Sequence, residues 1–118
     1  MSGGRIGFDL DGTLARYVHG QFPQIGDPVP AMLDRLRQHL ELGHDCRVMT
    51  ARVCRAQDTD EYREQHALVT AWLVAHVGRA LPITCEKDYS MIALYDDRAI
   101  AVEKNTGRLM SPDIHLFT

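Results

Sequence analysis

Apolar positions recur along this chain in two rhythms, one suited to strands and one to helices. Arg5–Leu10 (RIGFDL) is a short apolar run broken by Gly12, which predicts a first strand. Ala15–Gly26 carries Gly20, Pro23 and Gly26 and reads as a loop or short flap. Val29, Met32, Leu33, Leu36 and Leu40 then follow at helical spacing, giving an amphipathic helix. Asp27 is its expected N-cap, Pro28 its first residue and Gly43 its left-handed end. Cys46–Thr50 predicts a second strand, and a polar loop runs from Ala51 to about Asp60. A second helix is expected from about Asp60 to His76, with Leu68, Val69, Trp72, Leu73, His76 and Val77 on its apolar face and Gly78 as its stop. Three further strands are expected at Leu81–Cys85, Met91–Tyr95 and Ala99–Glu103. The almost uniformly apolar Met91–Tyr95 reads as buried. A turn at Asn105-Thr106-Gly107 would let Arg108–Met110 pair back as an edge strand.

Strands alternating with helices imply an α/β fold: a three-layer, Rossmann-like parallel sheet with helices on both faces. The 118 residues (13.3 kDa) suit one domain over positions 1–118, and no repeat or long linker divides them. A content of 45% hydrophobic and 25% charged residues excludes a disordered chain. No apolar run is long enough for a membrane span, and MSGGRIGFDLDG contains no apolar leader core, so a cytoplasmic protein is expected. Net charge −3 and a pI near 6.0 argue against extended nucleic-acid binding, which needs a basic field. Cys46, Cys54 and Cys85 are scattered and odd in number, which fits a reducing compartment better than a disulfide framework.

In parallel sheets, ligands bind beyond the carboxyl ends of the strands. Asp9 and Asp11 stand at the end of the first strand, followed by Gly12-Thr13, and positions i and i+2 of an extended chain point the same way. Thr50, Ala51 and Arg52 follow the second strand, Lys87 the third, and Asp96, Asp97 and Arg98 the fourth. Carboxylates crowded together repel by roughly 4 kcal/mol per pair at 4 Å and an effective dielectric of 20, so the cluster calls for a cation. Ligands that are all oxygen, with no His or Cys at ligand spacing, select Mg²⁺ over Zn²⁺. Mg²⁺ commonly takes one or two carboxylates together with a substrate phosphate.

FDLDGTLA (Phe8–Ala15), MTAR (Met49–Arg52), Lys87 and YDDRA (Tyr95–Ala99), in that order, resemble the four motifs of the haloacid dehalogenase-like (HAD) phosphohydrolase superfamily. The resemblance spans about residues 5–103. It implies that Asp9 attacks phosphorus to form an aspartyl-phosphate and that Asp11 acts as general acid and base. It further implies that Thr50 hydrogen-bonds the phosphoryl group and that Lys87 offsets charge. Asp9, Asp96, Asp97 and the backbone carbonyl of Asp11 would hold Mg²⁺, with Gly12, Arg52 and Arg98 near the substrate. The second Asp of the first motif favours phosphate esters over carbon–halogen bonds. Short gaps at Arg16–Gly26 and Val53–Asp60 resemble a minimal HAD core without a cap domain.

The resulting expectation is a Mg²⁺-dependent phosphatase for a phosphate monoester: a nucleotide, a polynucleotide end or a sugar phosphate. An open site leaves room for a large substrate or for cover by a neighbouring subunit in a homo-oligomer. Two non-enzymatic readings stand beside it. One is a receiver-like signalling domain, disfavoured because its acid pair and lysine occur in another order. The other is a HAD-fold module that binds phosphate without turnover.

Overall fold

The computed structural model describes residues 4–110; the ends of the expected 1–118 domain lie outside them. The strands are β1 (Arg5–Asp9), β2 (Asp45–Met49), β3 (Ile83–Thr84) and β4 (Met91–Tyr95). The helices are α1 (Pro30–Glu41) and α2 (Asp60–His76), with a single 3₁₀ turn at Ala51–Val53. All pairings are parallel and the sheet order is β3-β2-β1-β4, so this is a Rossmann-like α/β fold. Among the described residues no helix is long and apolar enough to cross a membrane.

Alternation along the strands sets the core. Ile6 and Phe8 of β1 lie beside Cys46 and Val48 of β2, and all four are buried. Leu33 and Leu36 of α1 and Val69, Trp72 and Leu73 of α2 complete one cluster with them. The two helices also meet each other, where Arg37 donates to the carbonyl of His76 at 2.7 Å. The intervening strand positions Arg5, Asp45 and Arg47 form an ion-pair row, while Met91 and Leu94 crowd the space above Gly7. Leu68, expected on the apolar face of α2, is exposed.

Helix α1 begins at Pro30, later than expected. Asp27–Val29 is drawn into pairing with the end of the first motif: the Arg16 N–H donates to Asp27 O at 2.7 Å and the Val29 N–H to Leu14 O at 2.8 Å. Val29 precedes a proline, which disfavours helical backbone, and it sits extended at φ −90°, ψ 108° as the N-cap. Pro30 then takes the position after the cap, where its missing N–H costs nothing. Gly43 ends α1 at φ +81°, as its sequence position predicts.

The strand expected at Ala99–Glu103 does not join the sheet. This segment forms a small hairpin with one bridge, Val102 to Leu109, around the Asn105–Gly107 turn. With no further strand beside it among the described residues, β4 is an edge, and Ile92 is exposed instead of buried.

His39 Nδ1 and His44 Nδ1 lie 2.8 Å apart, and His39 Nε2 lies 3.0 Å from the Tyr95 hydroxyl. One histidine must be a neutral acceptor for the first contact to exist. Burial, then the neighbouring His44 charge, lowers the pKa of His39 below its ordinary value. The unfolded chain therefore takes up the proton first, and stability falls as pH drops below about 6.5. Between about pH 7.5 and about pH 5.5 the wild type should lose more melting temperature than His39→Gln. Equal losses would remove the histidine pair as the cause.

Candidate active site

The parallel sheet brings Asp9, Met49 and Tyr95 to one edge, because Asp9 is in register with Met49 and Phe8 with Tyr95. The chain continues from those ends into Leu10–Leu14, Thr50–Val53 and Asp96–Arg98. One carboxylate oxygen from each of Asp9, Asp96 and Asp97 lies within 4.8 Å of the other two. Thr13 ties Asp9 to Asp97: its hydroxyl is 3.2 Å from Asp9 Oδ2 and 3.4 Å from Asp97 Oδ1, and it accepts the Asp97 N–H at 3.1 Å. Burial first, then contact with Asp97 and the charge of Asp96, pushes the Asp9 carboxyl up to about 7. A hard divalent cation among these oxygens would reverse that effect, and Mg²⁺ fits the donor set.

Gly12 makes the trio compatible with the turn that follows β1. Its φ is +91°, and a Cβ there would stand 2.5 Å from Asp97 Oδ2. Its role is thus to let the backbone turn beneath a carboxylate, a steric reason that the expected substrate contact did not include.

Asp11 does not join the trio. Its two oxygens accept from Arg52, Nε to Oδ2 at 2.7 Å and Nη2 to Oδ1 at 3.0 Å. The same guanidinium donates to Pro23 O at 2.6 Å, Gln24 O at 3.2 Å and Gln65 Oε1 at 2.9 Å. All five of its N–H groups are engaged, and its side chain is only 6% exposed. The Phe22 ring covers it at 5.1 Å. Arg52, expected near the substrate, lines the pocket and is also a latch joining the first motif, the flap and α2. The fork engages only the Asp11 carboxylate and leaves its backbone carbonyl, the expected metal donor, out of the ion pair.

Thr50 is buried and caps the 3₁₀ turn, its hydroxyl oxygen accepting the Arg52 N–H at 3.2 Å. Its hydroxyl proton remains available to a ligand in the pocket that it lines. Arg98 lines the same pocket, and its backbone N–H donates to Asp96 Oδ1 at 2.8 Å. Among the described residues neither Arg98 nor Arg55 forms an ion pair, and both line this pocket, with Arg55 Nη1 donating to Cys54 O at 3.1 Å.

Lys87 is not brought to this edge. Only six residues, Cys85–Ser90, connect β3 to β4, fewer than the dozen or more that a parallel crossover usually takes. They must pass β2 and β1, about 14 Å at ordinary strand spacing, and return to the amino end of the sheet. The crossover is therefore extended and leaves no loop above β3. Asp88 already meets Arg5, the first residue of β1, at 2.6 Å, and Lys87 beside it is exposed.

The pocket has a volume of about 770 Å³ and reaches from Asp9 and Asp96 past Thr50 to Tyr17 and Phe22 of the flap. Thr13, Gln65 and Phe22 carry parts that the sequence reading did not assign. Thr13 lay inside the quoted first motif, whereas nothing near Gln65 or Phe22 in sequence marks them as partners of Arg52.

No known protein-family profile matches the chain, and no curated protein matches it. Among solved structures it is similar to a conserved protein of Bacteroides thetaiotaomicron, with a TM-score of 0.56 and 18% identity over 83% of this chain and 78% of the other. At that identity the likeness extends to the fold.

Proposed function

We propose that this protein is a Mg²⁺-dependent phosphatase acting on a phosphate monoester, in keeping with its HAD-like motifs. The observation that carries the proposal is the trio of Asp9, Asp96 and Asp97 oxygens, within 4.8 Å of one another at the carboxyl edge of a parallel sheet and open to a pocket. Asp9, Asp96 and Asp97 would hold Mg²⁺, which when bound supplies charge for the phosphoryl oxygens. The free oxygen of Asp9 attacks phosphorus, and the ester oxygen leaves as the alcohol. Thr13 fixes the plane of that nucleophile. Thr50 donates its hydroxyl proton to a phosphoryl oxygen. Asp11 protonates the leaving alcohol and then takes a proton from the water that cleaves the aspartyl-phosphate. The Arg52 fork fills one lone pair on each Asp11 oxygen and leaves the others for that proton.

Arg98 and Arg55 take the charge-offsetting role that Lys87 is not placed to fill. The distance of Lys87 from the edge also favours a second reading, a module that binds phosphate and Mg²⁺ without turnover. Hydrolysis of an aryl phosphate, with Mg²⁺ and with EDTA, separates the two. Mg²⁺-dependent release is expected. A melting shift with Mg²⁺ but no release from an aryl, nucleotide and sugar-phosphate panel would support the binding module instead.

The melting shift is itself a prediction. Mg²⁺ at 100 times its dissociation constant adds about 2.7 kcal/mol of stability. Because Asp9 holds its proton up to about pH 7, the shift should grow between about pH 6 and about pH 8. Absence of any shift at the higher pH would overturn the metal assignment.

A further inference from the structure

Cys54 and Cys85 are distant in sequence yet share the wall of the pocket. Strands β2 and β3 run parallel with Met49 beside Thr84, and the Thr50 N–H donates to Thr84 O at 2.8 Å. Cys85 is the next residue. The 3₁₀ turn at Ala51–Val53 folds the other chain back, its Cys54 N–H donating to Ala51 O at 3.0 Å. The turn thereby brings Cys54 back beside the exit of β3, so that the two thiols are neighbours on one wall of the pocket. Cys85 is half-buried and Cys54 exposed, while Cys46 lies in the core on β2. The neighbouring Cys54 thiol, then burial, pushes the Cys85 thiol up to about 11. Cys54, the more exposed of the two, is the sulfur that meets an oxidant from solvent.

We propose that Cys54 and Cys85 form a redox-modification site that closes to an intramolecular disulfide when the protein meets a hydroperoxide. The Cys54 sulfur, as thiolate, attacks the outer peroxide oxygen. An S–O bond forms, the O–O bond breaks, and the departing oxygen leaves as water or alcohol after taking a proton. The Cys85 sulfur then attacks the Cys54 sulfenic acid; the S–S bond forms, the S–O bond breaks, and the oxygen leaves as water with the Cys85 proton. The two thiols together lose two electrons, and the peroxide bond gains them. The disulfide would tie the turn after β2 to the exit of β3, at the end of the sheet edge farthest from β4 and its aspartates.

The test is a mass measurement, so it stands or falls separately from the phosphatase reading. The full chain is treated with hydrogen peroxide at a slight excess, and intact mass and an unreduced peptide map are recorded. The expected result is a loss of two hydrogens, with one linked peptide pair containing Cys54 and Cys85 that dithiothreitol separates. The link should be absent in Cys54→Ser and in Cys85→Ser and present in Cys46→Ala, each first shown to melt cooperatively. Oxygen addition at either cysteine without a link, a link between two chains, a link through Cys46, or no mass change would each overturn the proposal.

Discussion

Asp9→Asn should abolish Mg²⁺-dependent hydrolysis of an aryl phosphate, by about a thousandfold or more, while leaving the protein folded. The amide keeps the shape of the side chain but removes both the attacking oxygen and one of the three metal donors. The variant should also melt differently from an ordinary site mutant. In the metal-free protein Asp9 sits close to Asp96 and Asp97, and its carboxyl is pushed up to about 7 by burial and by them. For a group raised in the fold, stability is fully present below the unfolded pKa and lost as pH rises through the folded one. Replacing it with an amide removes that loss, so at about pH 8 and without metal the variant should match or exceed wild type in melting temperature. With Mg²⁺ the order should reverse, because the variant gains less from the ion. Phosphate release measured with and without EDTA, beside thermal melts, gives both results. Unchanged turnover would remove Asp9 as the nucleophile. A full Mg²⁺ shift in the variant would remove it as a ligand.

Arg52→Lys should destabilise the protein almost as much as Arg52→Ala, by about 3 kcal/mol or more in a denaturant titration. An exposed ion pair would contribute far less, but here the guanidinium is buried and serves four different partners. Its loss leaves the carbonyls of Pro23 and Gln24, the Gln65 amide oxygen and the Asp11 carboxylate without their donor. A lysine brings three donors on a point charge and cannot form the fork to Asp11 while also reaching the flap and α2. Near-wild-type stability in the lysine variant would show that the charge alone suffices and that the latch geometry does not matter. Activity should fall with stability in both, since the fork orients Asp11.

Much of this arrangement was legible in the residues. The period of Leu33, Leu36 and Leu40 marked α1, and Asp60–His76 agreed with the α2 observed. The strand ends carried Asp9, Thr50 and Asp96-Asp97, and parallel pairing placed them on one edge as expected. Less legible were features that depend on partners far away in sequence. Asp27-Pro28 resembles a helix start, but hydrogen bonds to Leu14 and Arg16 hold the segment extended until Pro30. Ala99–Glu103 has the composition of a strand but forms only a one-bridge hairpin apart from the sheet.

By itself, then, the sequence determined which groups stand at each strand end and how the helices and strands alternate, because side-chain period and backbone propensity are local properties. Only the tertiary structure decided what those groups do. It turned Arg52 inward as a latch because four acceptors from three separate segments converge on it. It took Lys87 away from the edge because a six-residue crossover has no slack above β3. It brought Cys54 to Cys85 because parallel β2 and β3 end side by side. Each of these outcomes depends on chain reach and on the competition among distant partners, which no local pattern encodes.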